Sequence, residues 1–407
     1  MEGLVIGLDL NDDYSQISCN EKEKSWTVPT VICRRKEKET WLIGEEAYAA
    51  TLLGEGVIVD KLLKMVRKEG TSTIGGICYT GTDLLKIFLK KLLDCPFKEF
   101  HTDQVEQLVI TMHGTDAKVT DCLMYCADYL NIPRDRVHVI SHTESFAYYV
   151  LSQRKELWSN QVGLFELSED RLCYYEMKVQ RGMRRNMVQA EAQNQEEAFD
   201  LDILDSPSGS KLADQILCSC GEKLLENKLF STVFLTGKGF ERQDWATGFM
   251  KLACNRRRVF VENVLFFQGS SDQGKGLYGS GNGISLCVVC EGRLKAEVAL
   301  KVMRAGKEIM LAVASYGDNW YESKSSLELI LDGQKEIEFL ISHLDSRKKR
   351  AVSVPLTGFP DRPEKTTRIR MNIGFTDENT MAVVIRDMGF GELFPASDAV
   401  IRQEVIL

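Results

Sequence analysis

Several short segments carry residue types at spacings that chemistry can use. Gly269-Ser270-Ser271-Asp272-Gln273-Gly274-Lys275-Gly276 has the glycines and lysine of a phosphate-cradling loop. Such a loop needs Ser or Thr directly after the lysine, to hold magnesium, and then a helix. Gly276-Leu277-Tyr278-Gly279 follows instead, so the segment fails both requirements. Cys287-Val288-Val289-Cys290 and Cys218-Ser219-Cys220 are candidate metal pairs. A structural zinc site takes four ligands, and the five histidines, at 101, 113, 138, 142 and 343, lie at no useful spacing from either pair. In an apolar run cysteine acts as a small hydrophobe. Ser141-His142-Thr143-Glu144 groups a hydroxyl, an imidazole and a carboxylate. Triads are assembled from separated segments, so Ser141 or Thr143 reads as a helix cap. Thr236-Gly237-Lys238-Gly239 closes a strand and suits either a phosphate contact or an ordinary strand-to-helix turn. Trp320-Tyr321 reads as core.

The elements that must position these residues follow from hydrophobic periodicity. Leu4 to Leu10 is a nearly unbroken apolar run, as in a strand buried on both faces. After Asn11-Asp12-Asp13 the chain returns as Tyr14 to Ser18, giving a hairpin, with short strands near Thr27 to Cys33 and Trp41 to Ile43. Leu84, Leu85, Phe88, Leu89, Leu92 and Leu93 form the stripe of an amphipathic helix over 82–95. Leu108 to Ile110 is a strand, 118–130 a helix, 137–140 a strand and 144–151 a helix. This alternation predicts an α/β layer. The pattern then restarts with a hairpin at 162–167 and 171–179, a helix at 211–225 and a strand at 232–235. Two halves, each opening on a hairpin, indicate duplication. From 269 to 283 glycine dominates and helix signals largely stop. Period-two runs at 297–303, 308–314, 326–331, 336–341 and 351–356 predict an antiparallel all-β sandwich.

At 407 residues the chain holds two or three domains, and its 44% hydrophobic and 27% charged content is that of a globular protein. A net charge of −8 argues against broad binding to nucleic acid or anionic lipid. Arg347-Lys348-Lys349-Arg350 lies between two strand-like runs and reads as a solvated hairpin tip. No apolar run approaches a membrane span. Met1-Glu2-Gly3-Leu4 lacks the basic flank of a secretory signal. Twelve scattered cysteines then suggest reduced thiols and a cytoplasmic location.

Three stretches together resemble the actin-like and DnaK-type heat-shock chaperone superfamily, across essentially the whole chain. Gly7-Leu8-Asp9-Leu10-Asn11-Asp12-Asp13 stands at the place of its first phosphate hairpin, and Val233-Phe234-Leu235-Thr236-Gly237-Lys238-Gly239 at that of its adenosine motif. Leu356-Thr357-Gly358-Phe359-Pro360, then Pro363, Ile369, Phe375, Asp377, Asn379, Val384, Asp387, Gly389 and Gly391, is similar in order and spacing to the chaperone peptide-binding β-domain. The resemblance implies a degenerate, bacterial-type member. It implies a shortened, duplicated actin-like (ribonuclease H-like) core at 1–283, with lobes 1–157 and 158–283. An apolar linker at 284–291 and a chaperone-like β-sandwich at 292–407 would follow.

The resemblance also implies a nucleotide site, Mg-ATP or Mg-ADP, at Asp9, Asn11, Asp12, Glu166, Gly237 and Gly239, with Asp9 and Glu166 as water-mediated magnesium partners. The chain departs from the pattern there. Asn11, Asp12 and Asp13 replace small residues, and Phe165-Glu166-Leu167-Ser168-Glu169-Asp170 has no glycine. Two carboxylates about 4 Å apart repel by roughly 4 kcal/mol at an effective dielectric near 20, so crowding them should oppose a triphosphate. His142 takes the place of the family's glutamate, and Lys61 and Lys64 are the candidates for its lysine. The stretch before Gly237 is short, which implies loss of the subdomain that clamps adenine. The expected function is a chaperone-like pseudo-ATPase with little or no hydrolysis, acting as a protein-binding or regulatory module. Its partner would be a polypeptide held by the C-terminal β-domain. An active ATP-dependent chaperone and a filament-forming actin relative are the alternatives.

Overall fold

A computed structural model describes residues 3–19, 21–36, 40–169, 171–180, 186–195, 199–274, 286–343 and 349–407. The chain divides into two compact units, Met1–Leu286 and Cys287–Leu407.

The first unit is mixed α/β and holds two sheets of one topology. In the first, strand Leu4–Leu10 pairs antiparallel with Tyr14–Cys19, which pairs with Glu21–Pro29. On its other side it runs parallel to Val105–Met112, itself parallel to Val137–Ser141. In the second, Gln161–Leu167 has the antiparallel neighbour Leu172–Gln180, then Asn186–Gln195; Phe230–Thr236 and Arg258–Val261 are added in parallel. The register repeats as well. Asp9 stands opposite Thr111 on the parallel neighbour, and Glu166 stands opposite Thr236. Duplication thus puts one carboxylate at the same point of each sheet.

Both central strands are apolar on both faces because helices cover them. Leu4, Ile6, Leu8 and Leu10 are at most 2% exposed. Each such burial contributes about 1.5–3 kcal/mol. Helix Gly81–Phe100 presents Leu84, Leu85, Phe88, Leu89, Leu92 and Leu93 inward and starts with a Thr80/Asp83 capping box. Helix Pro207–Leu225 packs Ala213, Leu217 and Cys220 against the core of the second sheet, with Phe249 from Thr247–Ala253. The expected strand at Thr27 to Cys33 is two: the chain breaks at Thr30 and starts a small sheet at Ile32–Arg35, with Trp41–Ile43 and Gly56–Val59. Thr30 shares a buried 2.8 Å hydroxyl contact with Ser15, which fixes that break.

The glycine-rich segment differs most from expectation. Leu265–Gly274 is a helix, packed on strand Leu4–Leu10 and on helix His142–Ser152, which leads from the first sheet to the second. Its glycine makes the contact possible. A Cβ on Gly269 would sit 2.0 Å from the Ser145 carbonyl oxygen, and one on Gly7 would sit 2.3 Å from that of Phe267. The Ser145 hydroxyl donates to the Phe266 carbonyl. Gly269 to Asp272 therefore lie inside a buried helix, not in a phosphate loop. The rest of that loop reading, from Lys275, lies outside the described residues. So do Asp170, residues 284–285 of the expected linker, and Arg347-Lys348.

The second unit is all-β. One antiparallel sheet orders its strands Lys307–Ala314, Ala296–Arg304, Glu336–His343, Lys349–Pro355; the other orders Ser325–Leu331, Thr367–Asp377, Thr380–Gly389, Val400–Ile406. Alternate residues of both sheets meet in one cluster that includes Val298, Phe339, Ile341, Ile369, Met371, Ile385 and Trp320. Trp320 is 6% exposed and lies edge-on to Tyr321 at 5.7 Å, as core.

The helix contact carries a prediction. Gly269→Ala should destabilise the first unit by about 1–3 kcal/mol, the usual cost of overpacking. Urea unfolding followed by tryptophan fluorescence and circular dichroism should show that loss, with the transition of the β unit unmoved.

Candidate functional site

The matched ends of the two sheets face a cleft of about 1470 Å³ within the first unit. Asp9 and Glu166 reach it from the central strands, Asn11 to Asp13 from the first hairpin, and Gly237 to Gly239 from the turn after Phe230–Thr236. Every residue proposed from the sequence as a nucleotide contact therefore lines one cavity. Lys61 and Lys64 line it too.

Each inner carboxylate is already satisfied by the protein. Asp9, 3% exposed, accepts from Asn11 at 3.0 Å and bonds His142 Nε2 at 2.8 Å. Glu166, 6% exposed, accepts from the Tyr175 hydroxyl and from Arg171 at 3.2 Å. His142 is clamped further, stacked on Phe266 with ring centroids 3.8 Å apart and edge-on to His113 at 6.0 Å. Its Nδ1 has no hydrogen-bond partner among the described residues. Burial works against a charge on His142, but the Asp9 carboxylate outweighs it by charge and hydrogen bond and raises the pKa. Burial alone would raise Glu166; His142, Arg171, the Tyr175 hydroxyl and His113 reverse that and lower it. At His113 burial dominates, helped by the positive Arg171 and His142, and the pKa falls to about 4.

The outer carboxylates do not stand as bare charge, which corrects the expected repulsion. Asp12 accepts from the backbone N–H of Leu63 at 2.8 Å and of Lys64 at 3.3 Å, at the start of helix Leu62–Arg67, with Arg67 3.9 Å away. Asp13 pairs with Lys61, and Glu169 with Lys238. These exposed pairs add little stability, but they neutralise the hairpins. The glycines answer first to sterics. Gly237 has φ +95°, and a Cβ there would lie 2.5 Å from the Leu167 carbonyl oxygen; on Gly239 it would lie 2.4 Å from the Leu167 side chain. Ser141 caps its helix, accepting from the Glu144 N–H at 3.1 Å, so this tetrad is not a triad.

Sequence reasoning missed Arg171, Tyr175 and Phe266 as site residues. Only the alternation in Leu172–Gln180 signalled that Tyr175 points inward; nothing signalled Phe266, which comes from the unexpected helix. Among the described residues, the stretch from Asn186–Gln195 to Phe230–Thr236 holds one short 3-10 turn, Leu201–Asp205, and helix Pro207–Leu225. No helix among them is long and apolar enough to cross a membrane. The thiol of Cys287 donates to the Tyr316 carbonyl at 3.2 Å, and that of Cys290 to the Glu291 carbonyl at 3.4 Å.

A family model described as "Family of unknown function (DUF5716) C-terminal" matches residues 13–291. The chain belongs to this family. A model described as "Domain of unknown function (DUF8552)" matches residues 293–407, beyond the DUF5716 region. No curated protein matches. Among solved structures, a non-polymerising mutant of MamK bound to AMPPNP is similar, with 13% identity and a TM-score of 0.44. The likeness covers 67% of this chain and 98% of that one.

The two histidines should titrate with opposite signs. His142 has a raised pKa, so its contribution is full below the ordinary value of 6.5 and is lost as pH rises through the folded value. His113 stays neutral when folded down to about 4, so stability falls as pH drops from 6.5 to about 4. Melting temperatures across pH 4–9 should show His113→Asn flattening the acid limb and His142→Asn removing the alkaline loss.

Proposed function

We propose that the first unit is a pseudo-ATPase core and the second a protein-binding module, together a regulatory protein with little or no ATP hydrolysis. The duplicated sheets, with paired carboxylates facing a shared cleft, have the architecture expected of an actin-like core. The β unit is read as a chaperone-like sandwich from the Leu356-Thr357-Gly358-Phe359-Pro360 pattern.

One observation carries the catalytic half of this reading. The two carboxylates best placed to take a magnesium ion are each engaged by a side chain of the protein itself, Asp9 by the His142 imidazole and Glu166 by the Arg171 guanidinium. Magnesium takes near-octahedral oxygen ligation and sheds water reluctantly. Direct ligation at this centre would compete with the buried His142 and the partly exposed Arg171 for the carboxylate oxygens. The donor set does not fit a directly ligated metal, and without one the neutralisation that magnesium gives a reacting triphosphate is missing.

The cleft lining adds to this. Beyond the paired hairpins, Asp200, Asp202, Asp205 and Glu241 line it as further carboxylates. A polyphosphate would approach negative potential there. Filament formation has no observation of this chain behind it.

The full-length chain should release phosphate from Mg-ATP no faster than its Asp9→Ala variant, and calorimetry with Mg-ATP should give no saturable heat. Steady release that disappears in a folded Asp9→Ala protein would overturn the reading. The module half is checked by titrating the same chain with extended, uncharged apolar peptides, where weak saturable binding is expected.

A further inference from the structure

The turn at Phe390 to Phe394 joins two properties that rarely coincide, strong apolar exposure and rigid support. Leu393 is 88% exposed and Phe390 43%. Beneath them Asp387, whose side chain is fully buried, is bound by Arg362 through two 2.8 Å bonds. The same carboxylate accepts from the N–H of Gly389 at 2.9 Å, the N–H of Ser397 at 2.9 Å and the Ser397 hydroxyl at 2.7 Å. Arg362 also donates to the Pro395 carbonyl at 2.7 Å. Both ends of the turn are thereby tied to one buried ion pair. Phe390 and Phe394 close it with a backbone bond of 2.6 Å. Gly389 at φ +60° and Gly391 at φ +72° take conformations that glycine accepts without strain. A Cβ on Gly389 would lie 2.4 Å from the Phe394 carbonyl oxygen.

We propose that this turn is a preformed anchor for a second protein, one that offers an apolar socket flanked by lysine or arginine. The proposal rests on reading the β unit as a protein-binding module and names the surface and the partner's chemistry. Rigidity matters because a turn whose backbone is already held in place loses little freedom on docking. The charge of the socket follows from the surroundings. Asp361, Glu392 and Asp398 flank the clamp in sequence and are exposed, and none has an ion pair among the described residues. Arg362, the cation beside them, is spent on Asp387. An exposed leucine beside uncompensated carboxylates fits a pocket that is apolar at its centre and basic at its rim.

The probe is a synthetic amphipathic peptide with leucines along one helical face and lysines along the other, paired with a leucine–glutamate twin. Both are titrated into the full-length chain by fluorescence anisotropy. The leucine–lysine peptide should bind saturably and weaken with salt, and the twin should bind at least tenfold more weakly. Leu393→Asp should weaken the leucine–lysine peptide at least tenfold while leaving the melting curve unchanged; Leu393→Ser should do the same without altering charge. Diffuse attraction to an acidic protein would instead be strengthened by the added aspartate, so the direction of change separates the two. Absence of saturable binding, equal binding of the twin, or indifference to both substitutions would overturn the anchor. A Leu393→Asp protein whose first unit unfolds at a shifted temperature would overturn it too, since the turn would then dock on its own chain. If uncharged extended peptides bind the parent and both variants alike, the module reading survives while the anchor falls.

Discussion

The first unit depends on backbones brought nearly into contact. Helix Leu265–Gly274 lies on strand Leu4–Leu10 and on helix His142–Ser152 at distances that leave no room for a side chain on Gly7 or Gly269. Dispersion falls off steeply with separation, so this packing is favourable only while both positions stay small. The approach brings Phe266 flat against His142 and sets the imidazole against Asp9. The geometry of the cleft floor is thus a result of packing behind it.

Given that floor, the inner and hairpin carboxylates of the cleft are met by partners from the chain itself. A carboxylate at the end of each central strand, a matched position, meets a different side chain in each half: an imidazole from the connecting helix in one, a guanidinium from the adjoining hairpin in the other. The hairpin carboxylates follow the same rule through Lys61, Arg67 and Lys238. A buried carboxylate without such a partner would be forced toward its neutral form.

Much of the fold was legible because it is written in local periodicity. The stripe from Leu84 to Leu93, the unbroken run Leu4 to Leu10 and the period-two runs after 294 each fix an element from a few neighbouring residues. The duplicated order of elements could be read from their succession. Helix Leu265–Gly274 could not, because Gly269 and the serines after it lower helix propensity; burial against two partners stabilises it, and those partners lie far off in sequence. The site divides the same way. Asp9, Glu166 and the Gly237 turn were visible as strand ends. That Asp12 would cap the helix at Leu63 some fifty positions later, or that Arg171 would turn back onto Glu166, is a tertiary outcome that no local pattern encodes. The charge count alone therefore suggested repulsion where the folded chain has ion pairs.

The contact between Gly7 and Phe267 also has a temporal side. The two lie about 260 positions apart in a chain made from its N-terminus. At typical rates of roughly 5–20 residues per second, the first strand waits on the order of tens of seconds for the helix that covers it. Throughout that time the face of the nascent sheet that carries Gly7 lies open to ribosome-bound factors and neighbouring chains. The first sheet can form its hairpin and hydrogen-bond ladder early, but its last layer arrives only after the second sheet has been synthesised. The two halves, alike in topology, are then unlike in their dependence on translation. A pause in synthesis between residues 160 and 265 would extend the exposure of the first half.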